Sequence, residues 1–222
     1  MSDATRFDAD LSVLELLEHV GALIGNSHIV YTSGKHGSSY VNKDALYPHV
    51  QITSHVAYRM ATPFGAAGVE VVAGPTIGGV ILAQWVAYHL TQLGTPVLAI
   101  YAEEQLDAAG TKQRVFRRGY DQHLPNKRVL IVEDILTTGQ SARAVVDAVV
   151  AGGGIPIGVA ALCNRGSVTA EQLGVPRLVA LTNLALEAWD AATCPLCAAG
   201  VPINTSVGKG AAFLAQQAAA RC

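Results

Sequence analysis

Short aliphatic runs alternate with amphipathic stretches of helical period along most of the chain, the pattern of a parallel α/β sheet. Residues 11–24 (LSVLELLEHVGALI) predict a helix, with Ser12 and Glu15 spaced as a capping box. Two short strand-like runs follow, HIVYTSG (28–34) and SYVNKD (39–44), divided by the turn residues of SGKHGSS. A helix is expected over 50–61, ending near Pro63. Next come a strand at VEVVAG (69–74), a helix over 77–92 and a strand at TPVLAIY (95–101). A polar loop, 103–113, leads to a basic strand, QRVFRRGY (113–120). The stretch VLIVEDILTTGQSARAVVDAVV (129–150) supplies a strand and a helix beginning at Ser141, and IPIGVAALCN (155–164) and PRLVALTNL (176–184) are the final strands. The runs 69–74, 97–101, 128–133, 156–163 and 177–183 thus predict an α/β fold, an open, mainly parallel five-stranded sheet flanked by helices. With no internal repeat or low-complexity linker, residues 1–222 read as one domain carrying an N-terminal addition over about 1–49 and a C-terminal one over about 184–222.

Composition narrows the setting. Half of the 222 residues are hydrophobic and only 14% are charged, which describes a compact globular chain with an ample core. A net charge of −2 offers no basic excess with which to neutralise a nucleic-acid backbone, so no nucleic-acid partner is expected. MSDATRFDAD is acidic and polar, the wrong chemistry for a signal peptide. The apolar stretch IGGVILAQWVAYHL is interrupted by Gln84 and His89 and is too short for a membrane span, so no membrane partner is expected and the location is read as cytoplasmic. The four cysteines, Cys163, Cys194, Cys197 and Cys222, do not make a secreted disulfide framework in a chain this long. CPLC (194–197) has the spacing of half a zinc site, but no second CxxC or HxxxH accompanies it. It therefore reads as a tight turn with two reduced thiols.

The informative chemistry lies in VLIVEDILTTGQS (129–141), where an aliphatic run ends in adjacent carboxylates, Glu133 and Asp134. Ligands of open α/β sheets lie outside the carboxyl ends of the strands. There the segment TTGQS would aim backbone N–H groups and hydroxyls into the positive end of the following helix, a phosphate site by geometry. It is neither a Walker A loop nor a GxGxxG turn. A phosphate cradle beside two acids suits a sugar phosphate, whose vicinal hydroxyls donate to the carboxylates. The competing view makes the acids a helix cap that complements the dipole.

VLIVEDILTTGQS resembles the phosphoribosyl pyrophosphate (PRPP) signature of the type I phosphoribosyltransferases: hydrophobic residues, two acids, two further residues, then Thr-Thr-Gly. TSGKHGSSYVNKDALYPH (32–49) is similar to the N-terminal segment of orotate phosphoribosyltransferases, GPTIGG (74–79) to that family's second glycine turn, and CNRG (163–166) to the strand end that carries its substrate-binding arginine. The similarity spans about residues 11–183, and CPLCAAGVPINTSVGKG resembles the tail of one bacterial and archaeal branch. The resemblance implies a type I phosphoribosyltransferase fold with a small N-terminal hood, a homodimer, and PRPP and orotate as substrates. Magnesium would be held through PRPP with no direct protein ligand. Glu133 and Asp134 would meet the ribose hydroxyls, with Ile135 and Leu136 between them and a 5-phosphate loop of Thr137, Thr138, Gly139, Gln140 and Ser141. Pro75, Thr76, Gly78 and Gly79 would form the pyrophosphate turn. Arg165 would face the orotate carboxylate, a task suited to a guanidinium fork, and Ser33, Lys35, Tyr40 and Thr137 would complete the base site.

One departure stands out. After the AIY strand, orotate enzymes carry basic residues in a mobile loop, whereas this chain has Glu103 and Glu104. Lys112 and Arg114 are the nearest basic candidates, and with Asp134 they make up the expected catalytic set. The implied reaction is magnesium-dependent transfer of ribose 5-phosphate from PRPP to orotate. Transfer to a purine or another base, and a non-catalytic PRPP-sensing module, are the alternatives.

Overall fold

The computed structural model of the chain describes residues 11–31, 33–94, 96–106, 110–184 and 187–219. In chain order they form α1 (Val13–His19), β1 (Leu23–Ile24), β2 (Ile29–Val30), β3 (His36–Gly37), β4 (Tyr40–Val41), α2 (Val50–Ala61), β5 (Val71–Pro75), α3 (Gly78–Leu93), β6 (Leu98–Leu106) and β7 (Lys112–Val115). There follow β8 (Arg128–Leu136), α4 (Gln140–Ala151), β9 (Ile155–Asn164), α5 (Ala170–Leu173), β10 (Leu178–Asn183), α6 (Pro195–Ala198) and α7 (Gly210–Ala219). They belong to two compact units: a larger one built on Tyr47–Leu184, and a smaller one that joins Leu14–Leu46 to the described residues of Ala185–Cys222.

The larger unit is a six-stranded sheet of order β10-β9-β8-β5-β6-β7. The first five strands of that order are mutually parallel and are the five that the hydrophobic runs predict. The sixth, β7, runs antiparallel to β6. Alternation along the strands sends Val71, Ala73, Val129, Ile131, Val159 and Ala161 to one face, where they pack with Ala142, Val145, Val146 and Val149 of α4. The helical side of that contact has the i, i+3, i+4, i+7 spacing of a single buried stripe. The helices α2 and α3 pack against each other and against the sheet, α3 on β5, β6 and β8, and α2 on β9 and β10.

Three expectations need correction. The helix expected over 11–24 ends at His19, because the chain turns at Gly21 (φ 67°) and Leu23–Ile24 then pair with Tyr40–Val41. The sequence predicts a polar loop over 103–113, but β6 continues through Glu103–Leu106 and pairs with Lys112–Val115 as an arm; residues 107–109 lie outside the described residues. The strand expected over 128–133 continues to Leu136, so the two acids lie within it and not at its tip. No described helix is long and apolar enough to cross a membrane.

In the smaller unit, β1 pairs with β4 and β2 with β3, both antiparallel. Two backbone bridges, His28 to Ile203 and His36 to Trp189, tie its N-terminal strands to its C-terminal segment.

Candidate active site

The chain order of the sheet reverses beside β5: β6 lies on one side and β8 on the other, which creates a crevice at their carboxyl ends. The pairing register shows how that crevice opens. β5 pairs with β8 only as far as Ala73–Ile131, whereas β8 continues paired with β9 to Leu136. The β5-side edge of Glu133–Leu136 is therefore released from the ladder.

Glu133 and Asp134 are 6% and 4% exposed. Asp134 Oδ1 accepts from its neighbour's amide, Ile135 N, at 2.7 Å, and Glu133 Oε1 accepts from Asp134 N at 3.2 Å. The Tyr47 hydroxyl lies 3.3 Å from Asp134 Oδ2 and 3.2 Å from the Gly78 carbonyl oxygen, so its single proton can serve either acceptor. These bonds fix the carboxylates against the glycine turn. They do not cap α4, whose first turn contains no acidic residue and whose N-cap, Gly139, makes no side-chain cap bond. The helix-cap explanation of the acid pair therefore fails on position.

The turn between β5 and α3 is held close to those acids. Thr76 N donates to the Ala102 carbonyl at 3.0 Å, and the Thr76–Ile77 peptide is cis. A Cβ built on Gly78 would collide with the Asp134 carboxylate, and one on Gly79 would come within 2.6 Å of Pro75 Cδ. Glycine is required at both positions by close approach.

Arg114, on the arm, links the two loops of the crevice. Its guanidinium donates to Thr76 Oγ1 at 3.0 Å and to Ser141 Oγ at 3.1 Å, and its side chain is only 10% exposed. Lys112 instead projects into solvent at 71% exposure and pairs with Glu104 at 2.9 Å. The acids that looked out of place in the sequence are thus neutralised across the arm: Glu104 by Lys112 and, at 3.8 Å, by Arg114, and Glu103 by Arg118 at 2.8 Å. The Lys112 hydrogen bond is the main reason that the Glu104 pKa lies below the usual carboxylate value. A cavity of about 580 Å³ lies between arm and helix, bordered by Glu104, Lys112, Arg114, Thr138, Gln140 and Ser141.

Thr137 and Thr138 are exposed on the loop above β8, and Gly139 turns the chain into α4 with φ 75°. A Cβ there would press on Val168 and Leu173 at 2.9 and 3.0 Å, so glycine answers both the torsion and the packing. Arg165 is half-buried at the end of β9, and its amide donates to the Leu136 carbonyl at 2.8 Å. That bond brings the Arg165 backbone beside the phosphate loop. Asn164 stiffens the turn by donating to the Val168 carbonyl at 2.8 Å and accepting from Val168 N at 3.0 Å. Burial pushes the neighbouring Cys163 thiol up to about 11, against the opposing charge of Arg165, so it stays protonated near neutral pH.

The structure thus brings together Thr76, Gly78, Arg114, Asp134 and Ser141, all predicted from sequence, and keeps Lys112 at the rim. Ser33, Lys35 and Tyr40 belong to the smaller unit; there the Ser33 hydroxyl accepts weakly from Lys35 N at 3.4 Å, and Lys35 faces Asp190 at 3.7 Å. Tyr47 and Asn164 escaped the sequence reading. A tyrosine beside a proline and an asparagine ending a strand carry no mark of their distant partners.

Known proteins share the sequence and the fold. The profile of the phosphoribosyl transferase domain family matches residues 57–183. The chain is 32% identical over 190 residues to the orotate phosphoribosyltransferase of Desulforamulus reducens, covering 86% of this chain and 92% of that protein. It is 34% identical over 194 residues to the orotate phosphoribosyltransferase of Thermus thermophilus, covering 87% and 99%. Among solved structures, Mycobacterium tuberculosis orotate phosphoribosyltransferase in complex with PRPP aligns with a TM-score of 0.57 at 25% identity, over 78% of this chain and 96% of that one. By the family profile and by these relatives, the chain belongs to the phosphoribosyltransferase family, among its orotate phosphoribosyltransferases.

Proposed function

We propose that the protein transfers ribose 5-phosphate from PRPP to orotate, releasing pyrophosphate and forming orotidine 5-monophosphate. The observation that carries this reading is the buried Glu133–Asp134 pair at the released edge of β8, beside the start of α4. The acids accept hydrogen bonds from the ribose hydroxyls, and the amides of the loop from Thr137 to Ser141 hold the 5-phosphate at the positive helix end. Arg114, reaching both Thr76 and Ser141, faces the pyrophosphate. Charge building on that leaving group strengthens the contact as the ribose carbon becomes cation-like. Orotate arrives as an anion, so attack needs no strong general base; the chain supplies position and excludes water.

Magnesium fits the donor set. Glu133, Asp134, Thr76 and Ser141 present hard oxygens, as this ion prefers, while the Asp134 oxygens are already engaged by Ile135 N and Tyr47. The ion would be held through PRPP oxygens and water, and when bound it would neutralise pyrophosphate charge. We also propose a homodimer, supported by the exposed Val50, Tyr58 and Tyr88 grouped with Trp85 and His89 on α2 and α3. A cytoplasmic location accords with the free thiols of Cys163, Cys194 and Cys197.

Asp134→Asn keeps the shape of the loop but removes the charged acceptor. Hydrogen bonds to a charged group are worth about 1.5–3 kcal/mol, so PRPP affinity should fall roughly ten- to a hundredfold with the melting temperature little changed. Calorimetry showing unaltered PRPP affinity would remove the ribose assignment. For the base, we assign Arg165 to the orotate carboxylate, with Thr137 nearby; Ser33, Lys35 and Tyr40 are proposed as orotate contacts on the family resemblance. Arg165→Ala should raise the KM for orotate much more than the KM for PRPP, since only orotate brings a carboxylate to that strand end. An equal rise in both constants would make Arg165 a structural or PRPP-binding residue.

A further inference from the structure

A second cluster of chemically competent side chains lies wholly within the smaller unit. His28 immediately precedes β2, His36 lies in β3, and Cys194 and Cys197 belong to the CPLC turn of α6. His28 Nε2 is 2.8 Å from His36 Nδ1, 3.7 Å from Cys194 Sγ and 3.6 Å from Cys197 Sγ; Cys197 Sγ is 3.4 Å from His36 Nδ1. All four donor atoms fall within 4.8 Å of one another, and three of the residues are buried. The turn that sequence spacing left as half a site therefore has its other half in two histidines from the opposite end of the chain.

We propose that His28, His36, Cys194 and Cys197 form a structural zinc site. Zinc–nitrogen bonds of about 2.0–2.1 Å and zinc–sulfur bonds of about 2.3 Å, set tetrahedrally, give nitrogen–sulfur edges of about 3.5–3.6 Å and a nitrogen–nitrogen edge of about 3.4 Å. The observed nitrogen–sulfur separations of 3.4, 3.6 and 3.7 Å are those of such a shell. The 2.8 Å nitrogen pair needs to open by about half an ångström to complete it. Two thiolates and two imidazoles in a tetrahedron select zinc over the hard cations, and four protein ligands leave no open position for catalysis.

The surroundings favour the ligating form of His28. His28 Nδ1 donates to the Val201 carbonyl at 2.7 Å, which fixes the tautomer whose Nε2 lone pair points into the cluster. His36 has no equivalent brace: its Nε2 is buried without a hydrogen-bond partner among the described residues. The backbone is organised for the same purpose. His36 N donates to Trp189 O at 2.7 Å, Trp189 N to His36 O at 2.8 Å, and Asn204 N to His28 O at 2.8 Å. Each histidine is thus held against the C-terminal segment that delivers the cysteines. A metal there cross-links that segment to the β2–β3 hairpin carrying Ser33 and Lys35.

The test uses the full chain without a histidine tag, purified under reducing conditions. Elemental analysis should find about one zinc per chain, and X-ray absorption at the zinc edge should show two sulfur and two nitrogen ligands. Cys197→Ser, which alters the exposed ligand, should lose most of the metal, whereas Cys163→Ser should keep it. Stripping the wild type with a strong chelator should lower its melting temperature, with recovery on adding zinc but not magnesium. A wild-type protein that is isolated without zinc and takes up none on dialysis would overturn the proposal. So would zinc bound without sulfur ligands, full zinc retention in Cys197→Ser, or a Cys194–Cys197 disulfide in the reduced preparation.

Discussion

Replacing Gly78 with alanine is expected to weaken PRPP binding by at least about a hundredfold, because it displaces the carboxylate on which ribose recognition rests. A Cβ at this position would overlap Asp134 Oδ2 and come within 2.9 Å of the Tyr47 hydroxyl. The backbone cannot easily yield: Gly78 opens α3, and the preceding turn is pinned to β6 through Thr76. The carboxylate must therefore swing aside, breaking its approach to Tyr47 and its aim into the crevice. Crowding of this kind costs about 1–3 kcal/mol in stability, so the variant should still fold. Gly65→Ala is the matched control. Its Cβ would make only ordinary contacts at 3.5 Å on a helical backbone, φ −55°, and both melting temperature and PRPP affinity should be retained. Calorimetry of the two variants side by side checks the claim; tight PRPP binding by folded Gly78→Ala would separate Asp134 from the ribose.

Arg114→Ala should lower kcat by roughly a hundredfold or more, with a smaller effect on PRPP affinity, as expected for a group whose charge meets a developing leaving group. The structure separates this arginine from its neighbour Lys112, which sequence reasoning could only place beside it. Arg114 is nearly buried and bonded to both loops of the crevice, whereas Lys112 is exposed and occupied with Glu104. Lys112→Ala is therefore expected to change kcat by only a few-fold, about the effect of a solvated pair. Arg114→Lys keeps the charge but cannot span Thr76 and Ser141 with a planar fork, and it should recover only part of the lost rate. Single-turnover rates and PRPP binding, measured on all three variants, decide the matter. Equal losses in Lys112→Ala and Arg114→Ala would show that the arm acts through both cations when substrate is present.

The parts of this molecule legible in the sequence are those governed by short-range periodicity. The five parallel strands and α2, α3 and α4 follow from aliphatic runs and stripes that each report their own burial. The phosphate loop and glycine turn were legible because close backbone approach restricts the residue types allowed there. What escaped depends on register and distance. The hairpin of β6 and β7 hides in a polar stretch, since an arm with little core contact has no apolar face to announce it. Glu103 and Glu104 looked like a defect until the antiparallel register set Glu104 opposite Arg114 and carried Arg118 back to Glu103. That pairing accounts for both acids within the arm. His28 and His36 reach the CPLC cysteines across more than 150 residues of chain, and no spacing rule within either segment predicts their meeting.

The central claim is the identity of the acceptor base. Its most direct test is PRPP-dependent pyrophosphate release by the wild-type protein with magnesium and, in separate reactions, orotate, uracil, adenine, guanine or xanthine. Orotate alone should support rapid turnover, with orotidine 5-monophosphate accumulating in step with pyrophosphate, because only orotate offers Arg165 a carboxylate. Turnover with a purine in place of orotate would contradict the account, and so would PRPP binding with no transfer to any base.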